Sequence, residues 1–356
     1  MPTLFDPIKV GALTLPNRIW MAPLTRTRAL EGSRVPSPLA VEYYSQRAGA
    51  GLIMTEATSV EAMGVGYPNT PGIWSEAQVE GWKPVVQAVH RKGGRIFLQL
   101  WHVGRISDPY FLDGRHPVSA SAVAAKGHVS LLRPERDYGV PRALETAEIP
   151  GVIAAYKKGA ENAKKAGFDG VEIHGANGYL LDQFLQDSTN HRTDAYGGSR
   201  EKRARLMLEV ADAVCEVWGA DRVGMHLAPR GDAHTMGDSD LKGTFIYVAK
   251  ELGKRKLAFI CAREHQAADS IGPVLREAFG GVYVANEGFG KESGEAALAA
   301  GTADAIAYGK LYISNPDLAE RFKANVPLNE WDAKTFYGAG PHGYTDYPAM
   351  ETAAAE

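Results

Sequence analysis

The sequence has few of the residues that mark disulfide-bonded, metal-binding or membrane-spanning proteins. Only two of its 356 residues are cysteine, Cys215 and Cys261, and no motif spacing relates them. Because a disulfide framework needs several paired cysteines, we expect both to be free, buried thiols. No window approaches the roughly 18 consecutive apolar residues of a membrane-spanning helix. The composition therefore predicts an ordinary globular protein.

The chain also lacks a strong charge of either sign. Its formal net charge is -3, which does not favour binding to nucleic acid or to a membrane surface. The N-terminal sequence MPTLFDPIKV has no positively charged segment followed by an apolar one, as a secretory signal would have. We expect a cytoplasmic protein.

Short apolar runs alternate with helical patterns along the whole chain. Continuous apolar runs are typical of parallel strands that are buried on both faces. Eight such units without a linker predict one domain over residues 1–356, a (β/α)8 barrel. A doubly wound sheet would need a glycine fingerprint after the first strand, and PLTRTRA is not one. The predicted strands are residues 17–22, 51–57, 95–100, 170–174, 222–227, 257–262, 281–285 and 303–308.

Two segments depart from the regular pattern. Residues 107–147, between strand three and helix three, contain four prolines and little periodicity. A stretch of this length predicts a cap over the barrel mouth that controls access. In the helical pattern of residues 76–91, Pro84 predicts that the regular part of the helix begins late.

The fourth strand ends in a group of polar side chains. His174 and Asn177 can both donate to one substrate oxygen, and the phenol of Tyr179 can donate a proton. Reduction or addition at a polarised double bond needs these groups. A structural histidine bonded to the backbone is the alternative interpretation.

The loops after strands seven and eight are typical of a phosphate site. Asn286 and Gly288 follow one strand, and Gly309 and Lys310 follow the next. Glycines let backbone N–H groups approach a phosphate, and Lys310 supplies positive charge. Because a third fingerprint glycine is missing after Gly290, a mononucleotide is favoured over a dinucleotide. Ordinary turn glycines are the alternative.

Three strand-end histidines, His102, His174 and His226, leave a metal-dependent hydrolase open as a further alternative, with Glu56 nearby. No HExxH motif, His-x-His pair after the first strand or cysteine pair supports it. We therefore expect no metal.

From Leu4 to Pro348 the chain resembles the Old Yellow Enzyme family of FMN-dependent ene-reductases. It is most similar to the bacterial branch that includes xenobiotic and nitrate-ester reductases. The segments that carry the resemblance are NRIWMAPLTRTRA, GLIMTEAT, FLQLWHVGRIS, GVEIHGANGYLLDQFLQDSTNHRTDAYGGS, YGKLYISNPDL and GAGPHGYTDYP.

The resemblance implies a role for each matching residue. It implies that His174 and Asn177 bind the substrate oxygen and that Tyr179 is the proton donor. The implied FMN-binding residues are Pro23, Leu24, Thr25, Ala57, Gln99, His226, Asn286, Gly288, Gly309 and Lys310. The implied substrate-pocket residues, besides His174 and Asn177, are Tyr67, Trp101 and Tyr337.

The implied activity is reduction of an electron-poor alkene, such as an enone or nitroalkene, by NADPH or NADH through bound FMN. Nitrate esters or nitroaromatics are further implied acceptors, and we expect a monomer or weak homo-oligomer. Two residues depart from the family pattern: Lys310 and His226 stand where many members have Arg. A flavin-binding barrel with little turnover is the alternative that His226 leaves open.

Overall fold

Eight parallel strands close into a barrel surrounded by helices, so the predicted (β/α)8 fold is confirmed. The computed structural model describes residues 1–231 and 233–350. Around the ring the strands follow chain order, and the last pairs with the first. The barrel strands are β3 (Ile19–Met21), β4 (Ile53–Met54), β6 (Ile96–Trp101), β9 (Gly170–Gly175), β10 (Val223–Leu227), β11 (Phe259–Arg263), β12 (Val282–Asn286) and β13 (Ala305–Tyr308).

The helices follow the predicted alternation. They are α1 (Pro38–Gln46), α2 (Glu76–Arg91), α3 (Ile149–Ala166), α4 (Leu180–Leu185), α5 (Arg200–Trp218), α6 (Leu241–Lys254), α7 (Gly272–Phe279), α8 (Lys291–Ala299), α9 (Lys310–Ser314) and α10 (Leu318–Ala324). The expected late start of α2 was wrong. The helix begins at Glu76 because Ser75 and Gln78 form a capping box, and Pro84 lies within it.

Two layers of apolar side chains hold the barrel together. The larger lies between the strands and the helices and includes Val86, Ile173 and Phe245, all fully or almost fully buried. The smaller fills the barrel interior and includes Trp20, Phe97 and Phe259. Each barrel strand is thus buried on both faces, which explains why the sequence shows continuous apolar runs.

A short hairpin that the sequence did not predict closes the amino end of the barrel. Its strands are β1 (Ile8–Val10) and β2 (Leu13–Leu15), which pair antiparallel. Ile8, Val10 and Leu15 pack against the interior residues. In the described part of the chain, the hairpin therefore covers the amino end of the barrel, and the carboxyl ends of the strands are left for a ligand.

The segment of residues 107–147 is attached to the barrel at both ends. Its strands β7 (Val118–Ser119) and β8 (Arg142–Ala143) pair parallel, and Val118 and Leu144 belong to the larger core. Its middle part turns back on itself, with the N–H of Tyr138 donating to the carbonyl of Gly127 (3.2 Å). One further strand, β5 (Thr58–Ser59), pairs with β6.

Both cysteines are free, as predicted, but only Cys261 is buried; Cys215 on α5 is partly exposed. Within the described part of the chain, no helix combines the length and apolarity needed to cross a bilayer.

Candidate active site

A cavity of about 770 Å³ opens at the carboxyl ends of the barrel strands. Almost every residue predicted for the site lies in its lining, although those residues are spread over nearly the whole chain. The predicted residues that line it are Pro23, Leu24, Thr25, Ala57, Gln99, Trp101, His174, Asn177, Tyr179, His226, Asn286, Gly288, Gly309, Lys310 and Tyr337. Only Tyr67 does not.

The turn between β9 and α4 presents three polar side chains to the cavity. β9 ends at Gly175, and Asn177 and Gly178 follow with φ angles of 56° and 76°. Asn tolerates this left-handed conformation better than most residues, and Gly adopts it freely. The N–H of Gly178 donates to Asp182 of α4 (2.9 Å), which fixes the turn. His174, Asn177 and Tyr179 thereby reach one side of the cavity.

His174 is held as a neutral hydrogen-bond donor. Its Nδ1 accepts the backbone N–H of Ala176 (3.3 Å). Burial, and then the nearby His226, lower the pKa of His174 well below its usual range. Since Nδ1 accepts and the ring is neutral, the hydrogen lies on Nε2. This backbone bond is the structural role considered above, and it leaves Nε2–H available for a ligand.

Tyr179 is a protonated phenol with another tyrosine beside it. Its hydroxyl is 2.8 Å from that of Tyr67. Burial raises the pKa of both phenols well above the usual range, so both keep their protons near neutral pH. Tyr67 lies in an adjoining hollow of about 440 Å³, which it shares with Tyr179, Tyr337 and residues of the 107–147 segment.

His226 lies among buried polar groups on the barrel interior. Its Nδ1 is 3.5 Å from a carboxylate oxygen of Glu172, and that oxygen accepts from Gln99 Nε2 (2.8 Å). Within the described residues, His226 Nε2 is buried without a hydrogen-bond partner. Because His226 also lines the cavity, this nitrogen is suited to a ligand placed there.

Among the described residues, His102, His174, His226 and Glu56 do not form one cluster of metal ligands. His102 lies with Nε2 3.3 Å from Glu61. Glu56 accepts the N–H of Arg26 (3.1 Å), and burial raises the pKa of its carboxyl to about 7. In the described part of the chain, one set of side chains has potential metal-ligand atoms within 4.8 Å of one another. It consists of Glu172, His226 and Cys261.

The opposite end of the cavity is built by the loops after β12 and β13. Gly288 has a φ of 78°, and a Cβ added there would meet only the Gln266 side chain, 3.7 Å away. Lys310 begins α9 and is exposed, with Nζ 5.0 Å from the Trp331 ring. The side-chain amide of Asn286 donates to the carbonyl of Ala307 (2.7 Å) and so links β12 to β13. Open backbone and one cation at this end suit a phosphate.

Several lining residues were not predicted. Arg263, at the end of β11, donates to Oδ1 of Asn177 (3.0 Å) and to Glu287 (2.9 Å). Trp331 and Phe336 come from the chain after α10, where Arg26 and Arg28 both bond to the Phe336 carbonyl. From the sequence, Arg263 is recognisable only as a polar residue at the end of a predicted strand. The aromatic residues Trp331 and Phe336 lie in a stretch without a regular pattern.

The residues of the cavity fit FMN. Gly288, Gly309 and Lys310 at one end suit a phosphate, and the unpartnered His226 Nε2 at the other suits a polar ring edge. Leu24, Ala57 and other apolar residues of the lining suit an aromatic ring.

The chain matches known proteins over almost its whole length. Residues 3–329 match the family model described as the NADH:flavin oxidoreductase / NADH oxidase family. The 12-oxophytodienoate reductase 2 of Arabidopsis thaliana is 43% identical over 367 residues, covering 99% of this chain and 96% of that protein.

Two solved structures show the same fold. The old yellow enzyme homologue of Zymomonas mobilis is 46% identical, with a TM-score of 0.95 over 98% of this chain and 100% of that one. Morphinone reductase in complex with tetrahydroNAD is also 46% identical, with a TM-score of 0.96 over 100% of both chains.

Proposed function

This chain belongs to the Old Yellow Enzyme family of FMN-dependent NAD(P)H oxidoreductases, and we propose that it reduces electron-poor carbon–carbon double bonds with Tyr179 as the proton donor. Relatives named as reductases of 12-oxophytodienoate and of morphinone support ene-reduction in general. The acceptors that we propose are enones and nitroalkenes, and nitrate esters or nitroaromatics extend that range.

One observation carries the proposal. His174, Asn177 and Tyr179 line one side of a cavity whose far end has Gly288 and Lys310. FMN held in this cavity would supply hydride-transfer chemistry between reduced nicotinamide and an acceptor. The three polar side chains would then polarise and protonate an acceptor bound beside them.

The residues proposed to hold FMN come from most of the barrel strands. We assign its phosphate to Gly288, Gly309 and Lys310. Asn286 supports the loop through its bond to Ala307. The residues assigned to the ring are Pro23, Leu24, Thr25, Ala57, Gln99 and His226.

We propose that His174 and Asn177 bind the activating oxygen of the substrate. His174 offers its Nε2–H, and the amide of Asn177 offers Nδ2–H₂ because its Oδ1 already accepts from Arg263. Two donors aimed at one oxygen withdraw electron density from the conjugated double bond. They also stabilise the negative charge that develops on that oxygen.

We propose that Tyr179 protonates the carbon next to the activating group. Its raised pKa keeps the hydroxyl protonated, and the bond to Tyr67 lets that neighbour supply a hydrogen in turn. Trp101, Tyr67 and Tyr337 form the aromatic surroundings of the substrate. We further propose that the protein is a single domain, is cytoplasmic and is a monomer or a weak homo-oligomer.

Anaerobic titration of the purified yellow protein tests the proposed function. NADPH should bleach the flavin absorption, and 2-cyclohexenone should restore it with formation of cyclohexanone. Saturated cyclohexanone is the matched control, since it has the oxygen but no double bond to reduce. Restoration of colour by neither 2-cyclohexenone nor a nitroalkene would contradict ene-reduction and favour a flavin-binding barrel with little turnover.

A further inference from the structure

Arg263 connects the carboxyl ends of three barrel strands at the edge of the cavity. One guanidinium nitrogen donates to Oδ1 of Asn177 (3.0 Å), and another donates to Glu287 (2.9 Å). Asn177 follows β9, whereas Arg263 ends β11 and Glu287 follows β12. The side chain of Arg263 is 42% exposed, so the barrel core does not require it.

The backbone of Asn177 is held independently of its side chain. Its carbonyl accepts from Nδ1 of His234 (2.7 Å). Burial lowers the pKa of His234, so its ring is neutral and the bonding nitrogen carries the hydrogen. With the backbone fixed in a left-handed conformation, the remaining freedom of Asn177 is rotation of its side-chain amide.

That rotation decides what Asn177 offers to a ligand. An amide has an acceptor on one side and a donor on the other, and the two are nearly the same size. Arg263 has only donors, so it bonds favourably only with Oδ1 and leaves Nδ2–H₂ for the cavity. The fixed positive charge also polarises the amide, which strengthens donation by Nδ2.

We propose that Arg263 is a positioning residue that fixes and polarises the Asn177 amide, and that this strengthens binding of ligands whose oxygen at Asn177 carries negative charge. The inference rests on the proposed function, because it assumes that Asn177 binds the substrate oxygen. Glu287 holds the guanidinium at the cavity edge, and the role assigned to Arg263 is exerted through Asn177.

The test is a set of binding titrations with the FMN-loaded enzyme and 4-hydroxybenzaldehyde, followed by flavin absorbance. This probe places a phenolate oxygen where an activating oxygen would bind. We expect Arg263→Met to raise Kd about tenfold, close to the effect of losing one charge-assisted hydrogen bond. Arg263→Lys should raise it less than about threefold, because it keeps the charge and one donor.

A double-mutant cycle separates action through Asn177 from a general effect. Asn177→Ala should raise Kd at least about tenfold, and adding Arg263→Met to it should change Kd less than about twofold. Arg276→Met is the matched control. Its guanidinium is 37% exposed and pairs with Asp304 away from the cavity, so its loss should leave Kd unchanged. Arg263→Gln replaces the Met variant if that variant does not retain FMN.

Different failures have different meanings. If Asn177→Ala weakens binding but Arg263→Met does not, the inference is wrong and the proposed function stands. Equal effects of Arg263→Met with and without Asn177 would also overturn it, since Arg263 would then act by another route. If both His174→Ala and Asn177→Ala leave Kd unchanged, the proposed oxygen site is wrong, and the inference is wrong with it.

Discussion

The hydroxyl oxygens of Tyr67 and Tyr179 lie 2.8 Å apart, although the two residues are separated by 112 positions in the chain. Only one hydrogen occupies the line between them. If Tyr67 donates, the hydrogen of Tyr179 is free to point towards a substrate. The Tyr67 ring stacks on Trp101 with centroids 5.5 Å apart, which fixes its position behind the proposed proton donor.

Tyr67→Phe should therefore slow alkene reduction without affecting FMN reduction by NADPH. Loss of the donating neighbour removes one neutral hydrogen bond from Tyr179, so we expect a decrease of about tenfold. Stopped-flow measurement of the two half-reactions checks this result. An unchanged rate with 2-cyclohexenone would show that Tyr179 needs no support from Tyr67.

His226→Arg should raise the reduction potential of bound FMN and speed its reduction by NADPH. The reduced ring gains negative charge, and a guanidinium is positive at every accessible pH, whereas imidazole is positive only when protonated. The Arg variant should therefore have the higher midpoint potential.

The groups facing His226 are Glu172 and His174 from β9, Cys261 from β11 and Gln99 from β6. They remain in every variant, so the comparison isolates residue 226. The measurement is the FMN midpoint potential of the native and variant proteins at one neutral pH. His226→Gln is the control, since its side chain is polar and carries no fixed positive charge. Equal potentials for the native and Arg proteins would show that residue 226 does not sense the charge of the ring.

Shortening the 107–147 segment should change substrate range while the protein still folds and binds FMN. Leu131 and Arg133 line the hollow beside Tyr179. Residues 128–137 form the tip of this segment, and their ends are adjacent because Tyr138 bonds to Gly127. A Gly-Gly turn in place of the tip should lower KM for bulky enones more than for 2-cyclohexenone. Loss of FMN binding in this variant would show that the tip is needed for the structure of the protein and does not serve to select substrates.

The fold was predictable because its signal is repeated eight times. Each barrel strand is buried on both faces, so most of its residues are apolar, as in β6. The N-terminal hairpin was not predictable in this way. Ile8, Val10 and Leu15 are buried only because they meet the amino end of a barrel formed by the rest of the chain.

The site was predictable where a residue's position along a strand determines its location. His174, His226 and Gln99 lie near strand ends, and all of them reach the cavity. The pairing of Arg263 with Asn177 depends on side-chain reach across the barrel mouth, for which the sequence has no signal. Likewise, the ends of the 107–147 segment pack into the core, although its composition indicated only a cap.

Stopped-flow kinetics of Tyr179→Phe test the central claim most directly. Only the second half-reaction needs the phenol hydrogen, so FMN reduction by NADPH should keep its native rate. Transfer to 2-cyclohexenone should fall by roughly 10²–10⁴, the usual effect of losing a general acid. A nitroalkene should lose less, because its reduced anion is stable without immediate protonation. Equal losses in both half-reactions, or an unchanged rate with 2-cyclohexenone, would contradict the assignment of Tyr179 as the proton donor.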